Sequence, residues 1–116
     1  MAEHRWVLIW FLPSPVNQRA GQGPVYRMDA DYDVLDVWME TRSAPKLNSV
    51  ICDINVGEAS MFEVRPQITV KQSRGSGIFL STLGPLREDE LVSLDVDQTD
   101  GSEGDLTIGL ILERRD

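Results

Sequence analysis

The chain is poor in the residues that most often carry chemistry, with one cysteine and one histidine among 116 residues. The lone cysteine, Cys52, cannot form an internal disulfide, so the fold depends on packing or association. It lies in the apolar run 50–54, which predicts a small buried hydrophobe. Zinc sites need paired cysteines or histidines. A hydrolytic nucleophile would need His4, close to a chain end, as its base. We therefore predict no catalytic residue, no cofactor and no enzyme.

Long apolar runs and positive charge are also missing. No run approaches the roughly 18 apolar residues of a membrane span. The short apolar segment 6–12 has no small-residue cleavage site, so we do not interpret it as a signal peptide. A net charge of −8 argues against binding a phosphate backbone and suits a partner that carries basic patches. We predict neither a nucleic-acid nor a membrane partner.

Helical periodicity is nearly absent, and short β-rich runs alternate with clusters of Gly, Pro, Asn, Asp and Ser. This spacing predicts an all-β chain forming one domain over residues 1–116, an antiparallel β-sandwich or barrel with eight or nine short strands. The candidate strands are 5–12, 25–28, 32–41, 47–55, 60–64, 67–71, 78–82, 90–98 and 105–113. Alternation predicts three buried rows: Leu35, Val37 and Met39; Val92, Leu94 and Val96; and Leu106, Ile108, Leu110 and Leu112.

The first candidate strand has two apolar faces instead of one. One face carries Trp6, Leu8, Trp10 and Leu12, and the other carries Val7, Ile9 and Phe11. Three interpretations stay open: a central core strand, a strand with one face on a neighbouring subunit, or a platform for a ring-shaped ligand such as a sugar. Residues 13–24 follow without β-alternation and predict an extended arm or long loop.

Interface residues are predicted from the side chains that dominate protein contacts. Trp, Tyr and Arg are enriched at such positions. The candidates are Trp6, Trp10, Arg19, Tyr26 and Trp38.

Eight of the 19 acidic residues lie between Glu88 and Asp105. They are interpreted either as a docking or ion-binding rim or as a solvated end of the sheet that discourages aggregation. Within this stretch, calcium is the one metal worth considering, because Ca²⁺ binds clustered oxygen ligands on flexible turns. The candidate ligands are Asp95, Asp97, Asp100, Glu103 and Asp105. Their spacing does not match an EF-hand, and a hairpin loop with charges facing water is the preferred interpretation.

Two sequence blocks carry a resemblance. Residues 52–62 read CDINVGEASMF, and Gly57-Glu58 predicts a type II′ hairpin because glycine takes a positive φ at little cost. Residues 91–98 read LVSLDVDQ, a strict period-2 strand. Together they resemble a module of tailed-phage virion proteins, in which a DIN-x-x-G-x-S-x-F hairpin precedes a DVDQ strand. The likeness extends over about residues 26–112 and differs at Gly57-Glu58, where Asn-Gly is usual, and at Glu90, where Gly-Asp is usual.

The resemblance implies a jelly-roll-like sandwich, commonly trimeric, that serves as a building block of phage particles. Its motif residues Asp53, Asn55, Gly57 and Phe62 look structural, with Asp53 and Asn55 expected to bond backbone N–H groups at the turn. A small acidic chain of this kind suits a homotrimeric capsid decoration protein in the virion, bound to the major capsid protein. The alternative is a receptor-binding, tail-fibre or baseplate module that recognises host glycans through aromatics such as Tyr32 or Trp38.

Overall fold

The computed structural model describes residues 5–101 and 103–115. Those residues form nine strands, all paired antiparallel. No helix among them is long and apolar enough to cross a bilayer. The strands are β1 (Arg5–Leu12), β2 (Arg19–Arg27), β3 (Tyr32–Thr41), β4 (Val50–Val56), β5 (Ala59–Ser60), β6 (Phe62–Ile68), β7 (Arg74–Phe79), β8 (Leu91–Gln98) and β9 (Leu106–Arg114).

The strand order is that of a jelly roll. One sheet runs β1-β9-β3-β7 and the other runs β6-β4-β8-β2, with β6 and β7 paired at one corner and β5 completing a hairpin with β4. Successive strands change sheet at each step except from β4 through β5 to β6, which lie in the same sheet, as expected for two interleaved Greek keys. The predicted antiparallel, jelly-roll-like sandwich of eight or nine strands is confirmed.

The core lies between the two sheets and follows the predicted alternation closely. All three inward residues of β8 and all four of β9 are buried: Val92, Leu94, Val96, Leu106, Ile108, Leu110 and Leu112. In β3, Val37 and Met39 are buried but Leu35 is 41% exposed. The prediction for Leu35 is wrong because the β3–β9 register shifts between Val34 and Asp36, and a bulge turns a residue out of the alternation.

The open end of the sandwich lies between β1 and β2, and side chains bridge it instead of a strand ladder. The indole N–H of Trp10 donates to the carbonyl of Pro24 at 2.8 Å, and the hydroxyl of Tyr26 donates to the carbonyl of Ile9 at 2.6 Å. The rings of Trp10 and Tyr26 meet edge to face with centroids 5.2 Å apart. Trp10 and Leu12 are buried, so the second half of the inner face of β1 belongs to the core of the chain itself, whereas Trp6 at the start of the strand is exposed.

The second half of the segment predicted as an arm or long loop, residues 13–24, is strand, so that prediction is wrong for residues 19–24. Only residues 13–18 are irregular, and β2 begins at Arg19. Its pairing with β8 shifts register twice, and Gly21 and Gly23 have φ of 65° and 71°. Bulges that use left-handed glycines break the period-2 pattern, which explains why this strand leaves no alternation in the sequence.

Candidate functional site

The outer surface of sheet β1-β9-β3-β7, called the front face from here on, exposes an apolar row on its edge strand. Val7, Ile9 and Phe11 are 48%, 45% and 54% exposed. They alternate with the buried Trp10 and Leu12 of the same strand. An outward row on a sandwich strand is normally polar. The front face therefore retains apolar surface that no described part of the chain covers.

The strand register carries this apolar row across the sheet. Ile9 pairs with Gly109, and Gly109 pairs with Trp38 on the next strand. A Cβ on Gly109 would lie 2.3 Å from the indole of Trp38, so the ring lies directly over the glycine. Trp38 is half-buried, with one side of its ring against the backbone. The missing side chain at position 109 is what lets the indole lie flat on the sheet.

Beside Trp38 the sheet opens into a groove. Strands β3 and β7 pair only through Met39 with Gly75 and Glu40 with Arg74, after which β7 continues its pairing with β6. A Cβ on Gly75 would lie 1.8 Å from the carbonyl oxygen of Gln67, so glycine permits this close corner. The resulting depression of about 610 Å³ is lined by Trp38, Met39, Glu40, Arg74, Gly75 and Ser76.

Charges on and around the front face are largely paired within the chain. The pairs are Arg5–Glu113, Arg74–Glu40, Arg42–Asp105 and Arg115–Asp33, at 3.6, 3.1, 3.7 and 3.5 Å. Such exposed pairs contribute little to stability, on the order of 0–1 kcal/mol each. Their effect is to keep this face close to electrical balance in a chain whose net charge is −8.

The outer surface of sheet β2-β8-β4-β6, called the back face, is polar at its centre. Asp53 and Asp95 lie directly opposite each other on β4 and β8. The hydroxyl of Ser60 donates to Asp53 at 2.6 Å, and Asp95 accepts from the Asn55 amide at 2.7 Å and from the Gly21 backbone N–H at 2.9 Å. These bonds satisfy the polar groups at the centre of the back face within the chain, although Val25, Val64 and Leu91 of the same sheet are exposed.

The acidic side chains of the back face make hydrogen bonds, but their negative charges are not fully balanced by cations. Burial raises the pKa of Asp53, the Ser60 bond opposes that shift, and the charges of Asp97 and Asp95 raise it further. Arg65 lies 2.6 Å from Asp97 and is the nearby cation that lowers the pKa of Asp53. Of the three acidic side chains Asp53, Asp95 and Asp97 on the back face, only Asp97 forms an ion pair with Arg65.

The hairpin between β4 and β5 contains the predicted turn residues. Val56 pairs with Ala59, which leaves Gly57-Glu58 as the loop, and Gly57 has a φ of 61°. A positive φ at the first loop position alone is the type II′ pattern. Asp53 and Asn55 were expected to bond backbone N–H groups at the turn. Instead, Asp53 accepts from the Ser60 hydroxyl, and Asn55 donates to the Asp95 carboxylate.

Phe62 is buried and stacks on Phe79 with ring centroids 5.1 Å apart. It contributes to the core near the corner where β6 pairs with β7. This position agrees with a structural role for the residue.

The five calcium candidates do not converge. Asp95 and Asp97 lie on the back face, and Asp100 accepts from the backbone N–H groups of residues 46–48. Buried Glu103 accepts from the N–H groups of residues 100 and 101, and Asp105 accepts from that of Ser14, a bond that holds the pKa of Asp105 below its usual value. Among the described residues no three His, Cys, Asp or Glu side chains are placed to hold a metal.

The acidic stretch 88–105 is also not a single rim. It begins in the loop before β8 and ends in the loop after it, and β8 is eight residues long. At about 3.3 Å per residue, the two ends of the strand are some 25 Å apart. Asp89 at one end pairs with Arg27 at 2.7 Å, while Asp100 at the other caps a loop. The strand divides these charges between opposite ends of the sandwich.

The structure places the five predicted interface residues in different surroundings. Trp10 is buried in the core, where it contacts Tyr26, so the prediction of Trp10 as an interface residue is wrong. Trp6 is 52% exposed beside a small cavity at the open end, Arg19 is exposed on β2, and Trp38 lies on the front face.

Several front-face residues were missed as site candidates, although the apolar alternation in β1 was visible in the sequence. Candidates were chosen because Trp, Tyr and Arg are enriched at interfaces, and this criterion passes over the outward row of Val7, Ile9 and Phe11. Gly109, Arg74 and Ser76 gave no signal, because their importance depends on strand register.

Candidate nucleophiles and exposed aromatics are poorly placed for chemistry. Cys52 is fully buried, and burial raises the pKa of its thiol far above the ordinary value. His4 lies outside the described residues. Tyr32, proposed as a glycan-binding aromatic, is 4% exposed, and its hydroxyl donates to Asp29 at 2.6 Å. The prediction for Tyr32 as a surface aromatic is wrong.

Comparison with family models, with curated proteins and with solved structures finds no match for this chain. Its function must therefore be argued from the fold and from the two faces described above.

Proposed function

We propose that this chain is a virion structural protein of a tailed phage, a capsid decoration protein that binds the assembled head as a homotrimer. The observation that carries the proposal is the exposed apolar row of Val7, Ile9 and Phe11 on a chain whose core is already complete. The resemblance of residues 52–62 and 91–98 to the phage module supports the choice of particle. The fold alone does not select a function.

The apolar row supplies the driving force for assembly. Fully burying a side chain such as Val, Ile or Phe contributes about 1.5–3 kcal/mol, and each of these three is already about half-covered. One copy thus gains a few kcal/mol, part of which offsets the entropy lost on association. A trimer presents three such rows at once, and the linked contacts raise overall affinity without any new type of interaction.

The proposed role is mechanical. A protein that binds the assembled shell and not its free subunits stabilises the shell by mass action. The balanced charges around the front face keep the acidic chain from repelling an approaching surface there. Neither catalysis nor a cofactor is needed for this role.

The test is binding to heads assembled from the major capsid protein of the same virus and lacking this chain. Wild-type protein should co-sediment with the heads and raise the temperature at which they rupture. Phe11→Ser should weaken binding about tenfold or more, as the loss of one buried aromatic contact implies. The matched control is Leu91→Ser on β8, because Leu91 is 50% exposed against 54% for Phe11 and belongs to the other sheet.

Three results would count against the proposal. These are sedimentation of wild-type protein apart from heads at every concentration, a loss of binding in Leu91→Ser as large as that in Phe11→Ser, and an unchanged rupture temperature of the heads. The trimer is tested separately by analytical ultracentrifugation of the free protein. If the free protein is a monomer at all concentrations and still binds heads, the proposed capsid decoration is retained and the proposed homotrimer is rejected.

A further inference from the structure

We infer that the groove beside Trp38 binds the ring of a neutral sugar, so that the chain carries a glycan site in addition to the proposed shell contact. The groove lies between β3 and β7, where the two strands pair at only two positions. Its volume of about 610 Å³ is within the range of roughly 300–1,000 Å³ usual for small-molecule sites, and suits one or two sugar units.

The aromatic platform of the site is Trp38. Its indole lies over Gly109, where a Cβ would approach the ring to 2.3 Å, and Trp38 is among the residues that line the groove. The face of an indole is electron-rich and apolar. A pyranose ring has one face of C–H groups, weakly positive and free of hydroxyls, that fits such a surface.

The wall of the site offers both hydrogen-bond donors and acceptors. Arg74 Nε donates to Glu40 Oε1 at 3.1 Å, which leaves the terminal guanidinium N–H groups and the second carboxylate oxygen for a ligand. Their side chains are 83% and 51% exposed. The hydroxyl of Ser76 donates to the carbonyl of Val37 at 3.1 Å, and its oxygen can still accept. Sugar hydroxyls donate and accept in the same way.

Charge and backbone pairing select the ligand class. Glu40 and Arg74 cancel each other, so the lining favours a neutral ligand over a phosphate or a cation. An extended peptide would bind by adding a strand, which needs a row of free backbone groups. Here the seam is paired at Met39–Gly75 and Glu40–Arg74, and Ser76 occupies the carbonyl of Val37. A neutral sugar is therefore the occupant that these groups fit best.

The experiment titrates the full chain with a panel of neutral tri- and tetrasaccharides built from glucose, galactose, mannose and N-acetylglucosamine. Binding is followed by ligand-observed NMR and by tryptophan fluorescence. We expect at least one saccharide to bind with a Kd in the micromolar to millimolar range. Trp38→Ala should abolish the signal, Trp38→Phe should retain part of it, and Arg74→Met should weaken binding at least fivefold with the platform intact.

Two controls separate this site from the shell contact and from loss of fold. Trp6→Ala removes an exposed tryptophan at the open end of the sandwich and should leave saccharide affinity unchanged. Phe11→Ser should impair head binding and spare the sugar. If the Trp38→Ala variant does not fold, the saccharide affinity of Arg74→Met alone tests the inference.

The inference is overturned if no saccharide of the panel binds at 10 mM, or if Arg74→Met and Trp38→Phe both bind as tightly as wild type. It is also overturned if an extended apolar peptide library competes at lower concentration than any sugar. None of these results bears on whether the chain binds phage heads.

Discussion

The two outer faces of this sandwich are built from the same kind of strand but are finished differently. On the back face, Asp95 accepts from the Asn55 amide and from the Gly21 backbone N–H, and Asp53 accepts from the Ser60 hydroxyl. On the front face, Ile9 and Phe11 stand exposed with nothing described above them. A face that is satisfied internally is suited to water, whereas one that leaves apolar area uncovered is suited to a partner.

The position of β1 at the edge of its sheet makes its exposed apolar row more prone to association. β1 pairs with β9 on one side only, and exposed apolar edge strands promote association. Sandwich proteins usually place charges or prolines on such a strand. Here the row Val7, Ile9 and Phe11 has none, which is why we assign association to this strand and not to the polar β8.

The largest expected effect distinguishes the two faces of β1. Trp10→Ala should lower the free energy of unfolding by about 3–5 kcal/mol, because it empties a fully buried site and removes the bond to Pro24. Phe11→Ser, one residue away but exposed, should change it by less than about 1 kcal/mol. Urea denaturation measures both. Equal losses for the two variants would contradict the division of β1 into a core face and a contact face.

A smaller effect is expected where Trp38 lies over Gly109. Gly109→Ala would place a methyl group 2.3 Å from the indole, so the ring must move, at a cost of about 1–3 kcal/mol. Gly84→Ala is the matched control, since nothing lies within 4 Å of its added Cβ. Thermal melts and the tryptophan emission spectrum should both shift for Gly109→Ala and stay put for Gly84→Ala. An unchanged emission spectrum in Gly109→Ala would show that the indole does not lie there.

Removing one charge from the back face tests whether its acidic side chains repel each other. Asp53→Asn should raise the stability at pH 7 by a few tenths of a kcal/mol, because it ends the like-charge pairing with Asp95 across the strands. The exposed Glu63→Gln on β6 should give no gain. If Asp53→Asn lowers the stability, the hydrogen bond from Ser60 to the ionised carboxylate contributes more to stability than the repulsion from Asp95 costs.

The sign of the pH dependence follows from the raised pKa of Asp53. In the wild type, the folded state holds the Asp53 proton more tightly than the unfolded chain does. That contribution favours folding fully below the unfolded value of about 3.9, and it is lost as the pH rises through the folded value. The advantage of Asp53→Asn should therefore be greatest at neutral pH and disappear in acid. Denaturation series at pH 7 and near pH 3.5 measure it.

The smallest expected signal is the reactivity of Cys52. Burial raises the pKa of its thiol, so the folded protein should not react with a maleimide at pH 7.5 over hours. In denaturant the same thiol should react within minutes. Rapid labelling of the native protein would mean that β4, at the centre of the back sheet, opens readily.

Much of the fold was predictable because its strands alternate cleanly. The inward rows of β8 and β9 are marked by Val92, Leu94 and Ile108, and the Gly57-Glu58 turn is marked by glycine. The exceptions are bulges. Gly21 and Gly23 break the pattern of β2, and the register shift near Leu35 turns that residue out.

The candidate site was less predictable because it depends on which strands become neighbours. Trp38 and Gly109 are far apart in the chain and meet only through the β3–β9 register. The acidic stretch looked like one surface because it is continuous in sequence, yet β8 divides it. Trp10 looked like a contact residue because of its type, while its burial is decided by Tyr26 and the open end of the sandwich.

Side-chain footprinting with hydroxyl radicals would show whether the front face is the surface that contacts the phage head. Free protein and protein bound to phage heads would be oxidised and compared residue by residue, with Ile9 and Phe11 reporting the front face and Val25 and Leu91 reporting the other sheet. The account predicts that oxidation of Ile9 and Phe11 falls severalfold on binding while that of Leu91 and Val25 is unchanged. Protection of Leu91 and Val25 with Phe11 still fully oxidised would contradict it.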